Sequence, residues 1–161
     1  MENKKVMVKS EVMGRIGINL PDLHLKKEWP RKGTRLPINK EVLMEAFYTP
    51  GVEYMFKEGM LYIEDMDFKI EMGLEPEEAK QPTNIIELDE KLCQRAIRLM
   101  PVQELKGLLE KLTSTQKEVL ADYAINHYND MALDRIEILS KACGTDILNA
   151  IKFKKQMEAD D

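Results

Sequence analysis

Leu20-Pro21-Asp22-Leu23-His24-Leu25-Lys26-Lys27-Glu28-Trp29-Pro30-Arg31-Lys32-Gly33-Thr34-Arg35 is the stretch on which the fold turns. It holds the only tryptophan and the strongest run of positive charge in the chain. Leu23-His24-Leu25-Lys26 alternates apolar and polar, as a half-buried strand does. Trp29 to Thr34 reads as a loop, with Pro30 setting φ early and Gly33 allowing positive φ late. Arg35-Leu36-Pro37-Ile38 returns extended, and Pro37, having no N–H for a ladder, puts this strand at a sheet edge.

Working outward, Val6-Met7-Val8 reads as a short first strand and Gly14 to Asn19 as a second. Gly14 and Gly17 mark a bulge or a close backbone approach. Downstream, Asn39 suits the N-cap of a helix from Lys40 to Phe47, and Thr49-Pro50-Gly51 stops it and starts another. Met60 to Glu64 alternates as a strand, and Asp65 to Met72 forms a short helix closed by Gly73. Residues 75–88 are acidic and proline-bounded, the composition of a linker.

From Asp89 the pattern is helical. Asp89 caps a helix to about Met100, Pro101 opens the next, and Thr113-Ser114-Thr115-Gln116 fits a capping box for a third. A helix over Ala132 to Cys143 ends at Gly144, and Thr145 caps the last, which carries Lys152, Lys154 and Lys155. The expected architecture is α+β: a β-rich domain with two short helices over 1–74, a linker over 75–88, and a small helical bundle over 89–161.

A chain of 161 residues that is 43% hydrophobic can bury a core. It contains no run of 18 apolar residues and no apolar segment after Met1-Glu2-Asn3-Lys4-Lys5, so neither a membrane span nor a secretion signal is expected. Cys93 and Cys143 have no metal-ligand spacing and read as free thiols of a reducing, cytosol-like compartment. Charge is polarised along the chain. Residues 1–40 carry ten Lys and Arg against four Asp and Glu, a balance of +6, and residues 41–90 carry three against fourteen, a balance of −11. Two consequences stand open: head-to-tail association of the basic end with an acidic neighbour, or neutralisation of one segment by the other within the fold.

Catalytic chemistry finds little footing. His24 lies between two leucines and His127 near a helix end, positions typical of surface or capping histidines. Cys143, at a helix C-terminus, lacks the positive field that activates a thiol. There is no phosphate-binding glycine loop and no dinucleotide fingerprint, and Asp65 and Asp67 lack the spacing of a calcium loop. The reading therefore assigns no catalytic residue, metal ligand or cofactor. Two stretches stand out. Trp29 beside Arg31, Lys32 and Arg35 is either an interface anchor with its basic rim or a core tryptophan next to a solvated turn. Ile138 to Lys152, two helices joined at Gly144, has the layout of a helix-turn-helix, although the start of its second helix offers Thr145, Asp146 and Asn149 and no arginine.

The order Val6-Met7-Val8-Lys9-Ser10, Gly17 to Leu23, Lys27-Glu28-Trp29 with Lys32-Gly33, Glu41 to Ala46, Pro50-Gly51-Val52 and Gly59 to Ile63 resembles small accessory proteins encoded among the virion structural genes of tailed bacteriophages, especially gut phages. The resemblance covers residues 6–65 and is one of layout, so no residue role is carried over from it. It implies a non-enzymatic part of the capsid, neck or tail, or a protein carried inside the particle, located in the virion or the host cytoplasm. The expected partners are other structural proteins of the particle or copies of this chain, met through Trp29, Arg31, Lys32 and Arg35 and through the acidic stretch 64–90, with strand pairing near Pro37 as a further contact. The alternative is a small DNA-binding regulator using the last two helices.

Overall fold

The computed structural model describes residues 4–78, 85–129 and 131–159. The chain divides into two compact units, Met1–Glu87 and Leu88–Asp161. The architecture is α+β, with small sheets in the first unit and helices in the second.

In the first unit, β1 (Lys5–Ser10) is the middle strand of an antiparallel sheet. β2 (Ile16–Leu20) and β3 (Leu25–Trp29) form a separate hairpin, and β4 (Arg35–Asn39) returns to pair with β1. The helices α1 (Lys40–Ala46) and α2 (Pro50–Lys57) lead to β5 (Leu61–Ile63), which pairs with the other side of β1. α3 (Met66–Glu71) follows. The sheet order β4-β1-β5 puts β4 at an edge, where Pro37 costs no ladder bond.

Two local expectations change. The residues expected to begin the third strand form a 3₁₀ turn, Pro21–Leu23, and His24 closes it in the left-handed region at φ 52°. His24 is therefore a turn residue, and the strand starts at Leu25. The first strand runs past Val8 to Ser10, because its C-terminal end is held on both sides by β4 and β5. Gly17 is a close-approach glycine: a Cβ there would lie 3.2 Å from the Lys27 carbonyl oxygen.

Alternation on β1 buries Val6 and Val8, and the hairpin adds Ile18, Leu25 and Trp29 to the same core. Phe47 stacks on Phe56 at 4.9 Å between ring centres and meets Phe68 edge-on at 6.0 Å. The caps are as the residue types demand. Asn39 Oδ1 accepts from the Glu41 and Val42 N–H groups, and Asp65 Oδ1 from that of Phe68.

The linker expected over 75–88 is partly absorbed into this unit. Leu74 and Glu75 both donate their N–H groups to the Lys69 carbonyl, Glu75 is buried, and the unit extends to Glu87. Residues 79–84 of that stretch lie outside the described residues.

The second unit contains α4 (Glu90–Arg98), α5 (Val102–Lys111), α6 (Ser114–Asn126), α7 (Leu133–Cys143) and α8 (Ile147–Ala159). Asp89 caps α4, and Thr113 with Gln116 makes the capping box of α6. The three helices α6, α7 and α8 each pack against the other two, around Leu120, Leu139, Ile147 and Ile151. Gly144, at φ 65°, ends α7 and allows the tight turn into α8. The cap of α8 is not the expected Thr145. Asp146 Oδ1 accepts the Asn149 N–H at 3.1 Å, and Ser140 Oγ accepts that of Ile147 at 3.2 Å. Asp146→Ala is expected to lower the stability of the second unit by about 1 kcal/mol, and Thr145→Ala by less than about 0.5 kcal/mol, in urea denaturation. No helix among the described residues is long and apolar enough to cross a membrane.

Candidate functional site

The densest chemistry gathers at the end of β1. Lys9, Ser10 and Glu11 are all buried, and their backbone is fixed from two sides. Ser10 donates its N–H to the Thr34 carbonyl and accepts from Gly33, and Glu11 donates its N–H to Met60. The Glu11 carboxylate, 1% exposed, lies 3.1 Å from Lys9 Nζ and 3.3 Å from Lys32 Nζ. Lys32 also donates to the Glu11 carbonyl oxygen, and Lys9 also meets the Glu87 carboxylate. Beside them Lys69, 3% exposed, donates to the Tyr62 hydroxyl at 3.1 Å and stands 4.5 Å from the centre of its ring. Ser10 Oγ is buried with no hydrogen-bond partner among the described residues.

Burial disturbs each of these groups. It pushes the Glu11 carboxyl above its ordinary value, outweighing the lowering pull of Lys32 and Lys9. It pushes Lys69 below its ordinary value, against the opposing field of Glu75. Burial also opposes charge on Lys9, but Glu87 and Glu11 outweigh it and hold that ammonium above its ordinary value. Tyr62 is pushed up to about 12, first by burial and then by the carboxylates around it. A shifted acid, amine and phenol in one place is what active sites assemble. The cavity beside Tyr62, Lys69 and Glu75 is only about 10 Å³, room for a single water and for no substrate. The cluster is a closed ion network that fastens the 31–34 loop, β5 and the segment after α3 to the end of β1.

The network has a signature in alkali. Lys69, lowered from 10.5, is proton-poor in the folded chain, so its stabilising contribution is full above 10.5 and is lost as pH falls through its folded value. Tyr62 titrates at about 12 folded against 10.0 unfolded, so its contribution is full below 10.0 and is lost as pH rises towards 12. Urea midpoints between pH 8 and pH 11 are expected to lose their rising component in Lys69→Met and their falling component in Tyr62→Phe.

The four residues expected to bind a partner part ways. Trp29 is fully buried, its Nε1–H donating to the Val8 carbonyl at 3.0 Å, so it is the core tryptophan and offers no anchor on the surface. Lys32 is turned inward to Glu11, and Arg35 grips Glu64 through two bonds of 2.9 and 2.5 Å. Arg31 is exposed, and its side chain has no partner among the described residues. The basic and acidic segments neutralise each other in part inside the unit: Lys4 pairs with Asp65 at 3.3 Å, Lys40 with Glu71 at 3.1 Å, and Lys9 with Glu87. Sequence reading missed Lys9, Ser10 and Glu11 because it ended the strand at Val8. The signal was three polar residues continuing an apolar strand without a turn residue between them.

The histidines hold local positions. His24 closes its turn, and the His127 ring stacks on Tyr123 at 4.0 Å. Burial pushes the Cys143 thiol up to about 11, opposite to the shift a nucleophile needs. Among the described residues no group of His, Cys, Asp and Glu could hold a metal ion. In the second unit α8 exposes Lys152, Phe153, Lys155 and Met157, and Lys155 Nζ stands 5.0 Å from the Tyr128 ring centre.

The class that these observations define is an α+β unit with an apolar core and a closed ion network at the end of its central strand, followed by a helical unit. Compared with protein-family models, curated proteins and solved structures, the chain matches none.

Proposed function

We propose that this chain is a non-enzymatic structural protein of a large assembly, a tailed-phage particle, and acts by protein–protein contact. The layout of residues 6–65 supports the phage assignment. The observation that carries the contact reading is the apolar surface left exposed. On α8, Phe153 is 65% and Met157 57% exposed, one turn apart, and Tyr48 is 88% exposed on the first unit. Because much of the basic segment pairs internally, affinity falls to such anchors, and the remaining surface charges set register. The test is sedimentation of a lysate of the source, with mass spectrometry across the gradient. Migration with a megadalton particle, in fixed ratio to its shell proteins, supports the assembly role. A chain that stays at the top as monomer or dimer overturns it.

One observation favours a second reading, a DNA-binding regulator. The mutual packing of α6, α7 and α8, with the Gly144 turn, is the arrangement that presents a recognition helix, and α8 exposes Lys152 and Lys155. Asp146 at the start of α8 opposes a phosphate backbone there. This reading predicts duplex binding that weakens steeply with salt and is lost in Lys152→Ala/Lys155→Ala. Binding that is absent at low salt removes it.

A further inference from the structure

The hairpin of β2 and β3 is a two-stranded ribbon, and β2 is bonded on one side only. Its other side makes no backbone hydrogen bond among the described residues. Folded proteins guard such edges with lysine, proline or a bulge, because an open row of N–H and C=O groups recruits another strand. Ile16-Gly17-Ile18-Asn19-Leu20 contains no charge and no proline. Ile16 and Ile18 are buried, so the core fixes the strand, while Gly17 and Asn19 face solvent.

Leu20, the last residue of β2, also lines a groove of about 460 Å³ with Leu23, Asp22, Glu45 and Tyr48. Its two leucines are half-buried, and Asp22, Glu45 and Tyr48 are exposed. Neither carboxylate has an ion-pair or hydrogen-bond partner for its side chain among the described residues, so both are open to a cation. Two free carboxylates, an exposed aromatic ring and an apolar floor are complementary to an arginine side chain. The stem lies on the leucines, and the guanidinium meets the carboxylates and the ring. The same carboxylates repel a nucleic-acid backbone.

We propose that the open edge of β2 and this groove are one docking surface, whose occupant is an extended segment of a partner protein that adds as a strand and places an arginine in the groove. The groove lies at the C-terminal end of β2, so in antiparallel addition the arginine precedes the residues that pair. This rests on the reading that the chain acts through protein contacts, and it names the chemistry of one partner.

The test uses the full chain and two labelled synthetic peptides, acetyl-Arg-Thr-Val-Thr-Val-Thr amide and the same peptide with Glu in place of Arg, followed by fluorescence anisotropy. The arginine peptide is expected to bind at least about tenfold more tightly. Asp22→Asn/Glu45→Gln, two exposed polar exchanges, is expected to abolish that difference. Amide hydrogen exchange in Ile16–Leu20 is expected to slow on binding. Equal affinity for the two peptides, an unchanged preference in the double variant, or protection confined to other residues overturns the proposal. A chain that sediments with a particle yet binds neither peptide overturns this surface and leaves the assembly role. One that binds the arginine peptide but stays at the top of the gradient does the reverse.

Discussion

Trp29→Ala is expected to cost the first unit about 3–5 kcal/mol, a large share of the roughly 5–15 kcal/mol that holds a domain together. The side chain is fully enclosed, so its removal leaves a cavity among Val8, Ile16 and their neighbours. The loss also takes away the indole N–H that the Val8 carbonyl accepts in the middle of the sheet. Trp29→Phe separates the two contributions, since it fills most of the space without a donor and is expected to cost about 1–3 kcal/mol. Both are measured by urea denaturation followed by far-ultraviolet circular dichroism. In the native chain the fluorescence of the one tryptophan reports this unit alone. A Trp29→Ala protein that kept its fold and lost only its partners would return this residue to the surface role.

The second large effect is expected at Glu11. Replacing it by alanine leaves Lys9 and Lys32 without the carboxylate that both face, and breaking a buried pair in this way costs about 3–5 kcal/mol. Exchanging Glu11 and Lys32 together for methionine removes both charges and is expected to recover most of that loss. Burial is the dominant influence on the carboxyl and raises its pKa above 4.5. Within the window from 4.5 to the raised value the folded chain holds more protons than the unfolded one. The stabilising contribution of this group is therefore complete below pH 4.5 and declines as pH rises through its folded value. Glu11→Gln is expected to flatten that decline in denaturation midpoints taken from pH 4 to pH 7.

Local chemistry was legible in the residues, and long-range pairing was not. Asn39, Asp65, Asp89 and the Thr113–Gln116 box announce their helices because a cap and its amides lie within three residues. Gly144 and Pro37 speak for the same reason, each restricting its own backbone. Asp146 outdid Thr145 as a cap, a difference of one position between two good capping residues. Trp29 was ambiguous because a tryptophan in a basic loop looks alike from either side of a surface. Only the turn of Pro21–Leu23 and the path of β3 carry it inward. The Lys9–Glu11–Lys32 network was invisible for a deeper reason. Charge runs read as solvated faces, and nothing local says that Glu11 will be covered by a loop more than twenty residues away.

The central place of β1 also bears on the order in which the molecule forms. The first strand of this unit pairs with β4 and, through Val8 and Ile63, with β5. Its sheet cannot close until most of the first unit has been synthesised. The helices of the second unit instead meet close neighbours in sequence, such as α7 and α8 across Gly144. Closing long loops slows a search, and local contacts speed it. In stopped-flow refolding, helical signal from the second unit is therefore expected to return before tryptophan fluorescence, so the unit that comes second in the sequence is the one that folds first.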